Sequence, residues 1–124
     1  MKKGHVPQPG DLIKIDFDRQ AGHEQAGRRP ALVVSEASYN AKANLALICP
    51  IASHTKGYPF EVAIPEGSAV HGVVLADHVK SADLNARNAK YVGTAPAEVL
   101  DTVRGYMSPR ELWFEKPSPV VSWR

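Results

Sequence analysis

The sequence predicts a mainly β domain with one C-terminal helix, built as a small, strongly bent antiparallel barrel. Three observations predict this class. Apolar and polar residues alternate at a period of two in Asp11–Phe17 and in residues 60–64. Short apolar runs recur between breaks rich in Gly, Pro and polar residues as far as Val92. Only beyond Gly93 does the apolar spacing become that of a helix.

In chain order, residues 1–10 are polar and carry Pro7, Pro9 and Gly10, a lead-in ending in a turn. In Asp11–Phe17, Ile13, Ile15 and Phe17 alternate with Lys14 and Asp16, so one face of this strand is buried. Residues 31–34, directly after Pro30, form a second and more deeply buried strand. Residues 35–44 are polar and turn-rich. Residues 45–51 give a third strand, whose Pro50 argues for an edge or bulge position because it cannot donate to a ladder.

A polar loop, 52–59, leads to a fourth strand in which Phe60, Val62 and Ile64 alternate with Glu61 and Ala63. Residues 72–79 make a fifth strand ending in Asp77 and His78, and a short sixth lies around 89–92. Thr94 then caps a helix with Pro96 in its first turn and Glu98 close behind. Val99, Val103, Tyr106 and Met107 form its buried stripe, and Gly105 and Pro109 end it. Residues 1–107 thus make one domain. The extension 108–124, with Trp113 and Trp123, is apolar enough to pack back on it.

With 124 residues, 44% hydrophobic and 23% charged, the chain has enough core for one domain without staples. A net charge of +2 is compatible with a local anion site and is far from a polybasic tail. The single cysteine, Cys49, lies in an apolar run; it suits a reducing cytoplasm and makes a poor nucleophile. No stretch reaches the length of a membrane span, and no signal peptide is apparent. The five histidines are scattered, so no metal or cofactor is implied, and neither a phosphate loop nor a dinucleotide fingerprint occurs.

The segment from Gly22 to Pro30 packs His23, Glu24, Gln25, Arg28 and Arg29 between two strands. A loop so rich in proton-transfer and anion-binding groups, held by rigid elements, is a natural functional site. Glu24 and Arg29 are its sharpest pair. A carboxylate can take a proton from a hydroxyl, and a guanidinium offers a planar fork to phosphate oxygens. That combination suits phosphoryl transfer with an internal nucleophile such as the 2′-hydroxyl of RNA. The alternative is a salt bridge within the loop.

Several segments together resemble the MazF/PemK toxin family, most of all its MazF and ChpB branches. They are Pro9-Gly10-Asp11-Leu12-Ile13, Gly22-His23-Glu24-Gln25-Ala26-Gly27, Arg29-Pro30-Ala31-Leu32-Val33, Lys56-Gly57-Tyr58-Pro59-Phe60-Glu61-Val62, and the run from Gly72 to Ser81. The resemblance spans about residues 6–107. It implies an SH3-like, CcdB-like barrel acting as a homodimer. It also implies a metal-independent, sequence-specific endoribonuclease that leaves 2′,3′-cyclic phosphate and 5′-hydroxyl ends. The partners it implies are single-stranded RNA and a cognate antitoxin.

On the matching positions, Glu24 would be the catalytic base and Arg29 the group that stabilises the phosphate or protonates the leaving oxygen. The family's third position, usually Thr, is Ala52 here, and the neighbouring Ser53 is the candidate replacement. Of the Arg and Asp used in the PemK branch, Asp77 matches the acid while Leu75 stands in the arginine's place. The residues expected to contact RNA are Arg28, Asn40, Lys56, Tyr58, Asp77, His78, Lys80 and Arg87. Lysine and arginine neutralise phosphates, and tyrosine stacks on unpaired bases. Two other readings stand beside this one: a CcdB-like poison that binds protein, and an RNA-binding member that does not cleave.

Overall fold

The computed structural model describes residues 6–17 and 27–107. In chain order they form β1 (Asp11–Phe17), β2 (Gly27–Val33), α1 (Ala37–Ala43), β3 (Ala46–Ala52), β4 (Glu61–Ala63), β5 (Val73–Leu75), β6 (Lys80–Ala82), β7 (Lys90–Thr94) and α2 (Ala97–Met107). The strands run antiparallel in the order β4-β5-β3-β2-β1-β7, and β6 also pairs with β3. The class therefore agrees with the sequence. Among the described strands the path is open, with β4 and β7 at its ends.

Strand alternation divides the interior in two. Ile13, Ile15 and Phe17 of β1 join Ala31, Val33, Ile48, Ala82 and Leu84 in one cluster. Leu12, Leu32, Cys49 and Ile51 point the other way, into a cluster completed by Val62, Ile64 and Val74 and by Val99, Val103 and Met107 of α2. A shift in the pairing of β1 with β7 between Leu12 and Ile13 accompanies burial of those two consecutive residues on different sides.

Several expectations need correction. Pro50 lies neither on an edge nor at the surface. It sits within β3, opposite Ala31 of β2, and on its other side falls between the registers of β6 (Ala46–Ile48) and β5 (Ile51 and Ala52), an irregularity where no ladder bond from its nitrogen is needed. The polar stretch 35–44 holds helix α1, whose single buried residue is Asn40. Phe60 is not the first inward residue of a strand: it is 40% exposed in a turn, with φ 64°. The expected strand 72–79 ends at Leu75, and after a turn the chain re-pairs as β6. Gly105 does not end α2 but lies inside it, and Tyr106, expected in the buried stripe, is exposed; Pro109 and the whole extension 108–124 fall outside the described residues.

Arg104 of α2 ties the helix to the sheet. Its Nε and Nη2 donate to the Val34 carbonyl at 3.1 and 2.6 Å, and Nη2 also reaches Glu36 Oε2 at 3.1 Å.

Candidate functional site

Two separate groups of polar side chains stand out among the described residues. The first gathers where β1 and β2 part, beside the pair Phe17 and Gly27. Asp16 is its hub. Its carboxylate accepts from Arg28 Nη1 at 3.0 Å and from Asn88 Nδ2 at 2.9 Å. Its backbone N–H donates to the Arg87 carbonyl at 3.0 Å, and its carbonyl accepts from Arg87 Nη1 at 3.2 Å. The Asn88 hydrogen bond, then the Arg28 guanidinium, hold the Asp16 carboxyl below its usual range.

Arg29 pairs with Ile15 across the hairpin and is exposed. The pleat puts it on the same face of β2 as Ala31 and Val33, the face shared with Phe17 and Ile15. Lys80 approaches that face from β6, its Nζ 5.2 Å from the centre of the Phe17 ring. Ala31 stands opposite Pro50, and continuing the register two residues along each strand leads to Arg29 and Ala52. Glu24, with His23 and Gln25, lies outside the described residues.

The second group is the loop 53–60. Ser53 is exposed just beyond β3, its Oγ 3.1 Å from His54 Nδ1. Glu61, the first residue of β4, accepts from Thr55 Oγ1 at 2.5 Å and from the backbone N–H groups of Lys56 and Tyr58 at 2.9 and 3.1 Å. These bonds, the one from Thr55 foremost, lower the Glu61 pKa. Tyr58 leans on His78, ring centres 5.2 Å apart at a 40° tilt, and His78 Nε2 lies 3.8 Å from Asp77 Oδ1. Lys56 is exposed at the loop's tip.

Asn40 takes no part in either group. It is 3% exposed, and its Nδ2 donates to the carbonyls of Pro7 at 2.8 Å and Ser35 at 3.2 Å. Its Oδ1 accepts from Ser35 Oγ at 2.5 Å, and that hydroxyl in turn accepts from Leu47 N–H at 2.9 Å. A side chain so fully hydrogen-bonded inside the fold serves its structure. Arg28 and Arg87 likewise hold the hairpin through Asp16, though at the surface, where an incoming phosphate can still reach Arg28.

The arrangement suits an anionic, base-bearing ligand. Arg29 and Lys80 carry positive charge, and Tyr58 and His78 make a pair of flat rings. Burial pushes the Cys49 thiol up to about 12, so it is no nucleophile. Among the described residues no cluster of His, Cys, Asp and Glu could hold a metal ion. Sequence reasoning gave no role to Asp16, Asn88 or Glu61. The available signal for Glu61 was its place three residues after Tyr58, within reach of the turn's N–H groups.

Residues 8–107 match the family described as PemK-like, MazF-like toxin of type II toxin–antitoxin system. The chain is 46% identical over 104 residues to the endoribonuclease toxin MazF of Escherichia coli K12, a match covering 84% of this chain and 93% of that protein. It is similar in structure to MazF from Deinococcus radiodurans, with TM-score 0.79, 50% identity, and coverage of 86% of this chain and 97% of the other. It also matches a MazE–MazF structure from the same organism, with TM-score 0.76, 50% identity, and coverage of 86% and 96%.

Proposed function

The chain belongs to the PemK-like, MazF-like toxin family of type II toxin–antitoxin systems, and we propose that it cleaves single-stranded RNA at specific sequences without a metal. It is a MazF-like endoribonuclease toxin. The observation that carries the reading is the match to an endoribonuclease toxin along 84% of the chain. Its inhibitor is a cognate antitoxin, as MazE accompanies MazF in the Deinococcus radiodurans structure; in this reading it works as a homodimer and acts in the cytoplasm.

In the reaction, Glu24 takes the proton of a ribose 2′-hydroxyl and the 2′-oxygen attacks the adjacent phosphorus. The bond from phosphorus to the 5′-oxygen breaks, and that oxygen leaves with a proton donated by Arg29, which is restored when the protonated Glu24 gives its proton up to solvent. The products are a 2′,3′-cyclic phosphate and a 5′-hydroxyl, so atoms balance without water or metal. Arg29 stabilises the extra negative charge of the pentavalent phosphate, where a planar bidentate donor acts most strongly. A free glutamate, with pKa ~4.3, is a weak base, so bound RNA must shield it and raise that value. Ser53 supplies the hydroxyl that Ala52 lacks. Exposed Lys56 and the Tyr58–His78 pair support the RNA-binding role, phosphate contact and base stacking respectively.

Glu24→Ala and Arg29→Ala test the assignment. Each should lower the cleavage rate at least ~100-fold, the size of one lost charge-stabilising or proton-transfer group, and abolish growth arrest on expression. Melting temperatures should match that of the parent protein. Tight, salt-dependent RNA binding by the parent protein without cleavage would favour a non-cleaving RNA binder, a reading motivated by Ala52.

A further inference from the structure

We propose that Glu61 is a positioning residue for RNA: its carboxylate clasps the loop 53–60 and so holds Tyr58 against His78 as a stacking surface. The inference rests on the RNA-cleaving reading above. Its geometry is independent of that reading. The two carboxylate oxygens share three donors. Thr55 Oγ1 binds Oε1 at 2.5 Å, while the N–H groups of Lys56 and Tyr58 converge on Oε2 at 2.9 and 3.1 Å.

These donors come from three of the four residues that precede Pro59, so one side chain fixes the turn over which the chain climbs back to β4. Glu61 itself is anchored, because its backbone pairs with Leu75 of β5. The next bond, from Ala76 N–H to the Phe60 carbonyl at 3.2 Å, joins the end of the same loop to the turn bearing Asp77 and His78. The clasp and this bond set the Tyr58 ring 5.2 Å from the His78 ring. Without the clasp, the N–H groups of Lys56 and Tyr58 lose their acceptor and the loop is free to move.

The isostere separates geometry from charge. In Glu61→Gln the amide oxygen can take the place of Oε2 and accept both N–H groups. The amide nitrogen can donate to Thr55 Oγ1, since a hydroxyl also accepts. Glu61→Gln should therefore keep the clasp, and Glu61→Ala should lose it.

The test compares the full chain with Glu61→Ala, Glu61→Gln and Thr55→Ala. Trypsin cleavage after Lys56, followed by mass spectrometry, reads the loop; KM and kcat on a short single-stranded RNA read the stacking surface. The expected result for Glu61→Ala is faster cleavage after Lys56 with little change in melting temperature. Its KM should rise on the order of tenfold, the scale of one lost base-stacking contact, with kcat within a few-fold. Thr55→Ala, which removes one donor from an exposed side chain and spares the core, should show the same changes at smaller size.

Glu61→Gln should resemble the parent protein in both assays. Parent-like trypsin rates and KM in both alanine variants would overturn the proposal. A Glu61→Gln protein as impaired as Glu61→Ala would overturn it too, in favour of a charge effect. If the parent protein cut no RNA, the cleavage reading would fall, and the trypsin rates would still decide whether the clasp exists.

Discussion

Asp16 and Asn40 show how differently two polar residues can serve one fold. Asn40 is buried and fully hydrogen-bonded, so it organises the ends of several segments. Asp16 stays at the surface and binds Arg28, Asn88 and the Arg87 backbone, which fixes the base of the hairpin bearing the Glu24 loop. Its pKa is lowered in the folded protein from the usual 3.8. A depressed carboxylate stabilises the fold above its unfolded pKa and loses that contribution as pH falls through its folded value. The stability difference between the parent protein and Asp16→Asn should thus be largest near neutral pH and shrink below about pH 4. Urea titrations at a series of pH values check this, and a pH-independent difference would contradict it. At this scale the sequence was only partly legible. Glu24 and Arg29 stood out by residue type and by resemblance, whereas burial of Asn40 and the partners of Arg28 depend on contacts 33 and 12 residues away in the chain.

Elements were legible where their apolar period was strong. β1 was read at its observed bounds because Ile13, Ile15 and Phe17 alternate cleanly, and α2 because Val99, Val103 and Met107 repeat at helical spacing. α1 escaped because seven residues with one buried position carry no stripe, and its N-cap Glu36 makes no side-chain capping bond. β6 escaped because Lys-Ser-Ala has no strand pattern of its own and is held by pairing with Ala46–Ile48 of β3. The junction of β3 and β5 explains Gly72. Its φ is 130°, and a Cβ there would sit 2.0 Å from the Ala52 carbonyl oxygen and 3.2 Å from Ser53 Cα. Gly72→Ala should therefore cost roughly 3 kcal/mol and push Ser53 out of place, lowering cleavage beyond the effect on stability. Gly67 is the control, with φ 91° and no neighbouring atom within 4 Å of the place a Cβ would take. Gly67→Ala should cost only about 1 kcal/mol of backbone strain. Thermal denaturation of both variants checks the contrast, and equal losses would contradict it.

For the molecule as a whole, two clusters of buried side chains on opposite faces of one sheet hold the hairpin rigid. Polar side chains of β2, β6 and the loop 53–60 lie outside those clusters. Under the proposed RNA-cleaving function, Arg29 and Lys80 would meet phosphates and the Tyr58–His78 ring pair would meet bases. The chain's class could be read from its alternation of patterns. The family could be read from the long run of shared segments, and the match over residues 8–107 agrees with that. The partners of Lys80 and of Tyr58 could not be read, because each depends on a contact between segments far apart in the chain. The most direct test of the central claim is the chemistry of the RNA ends. Pure protein incubated with a long mixed-sequence RNA in excess EDTA should cut it at a short recurring sequence, leaving 2′,3′-cyclic phosphates and 5′-hydroxyls. Cleavage abolished by EDTA, or fragments bearing 5′-phosphates, would contradict it.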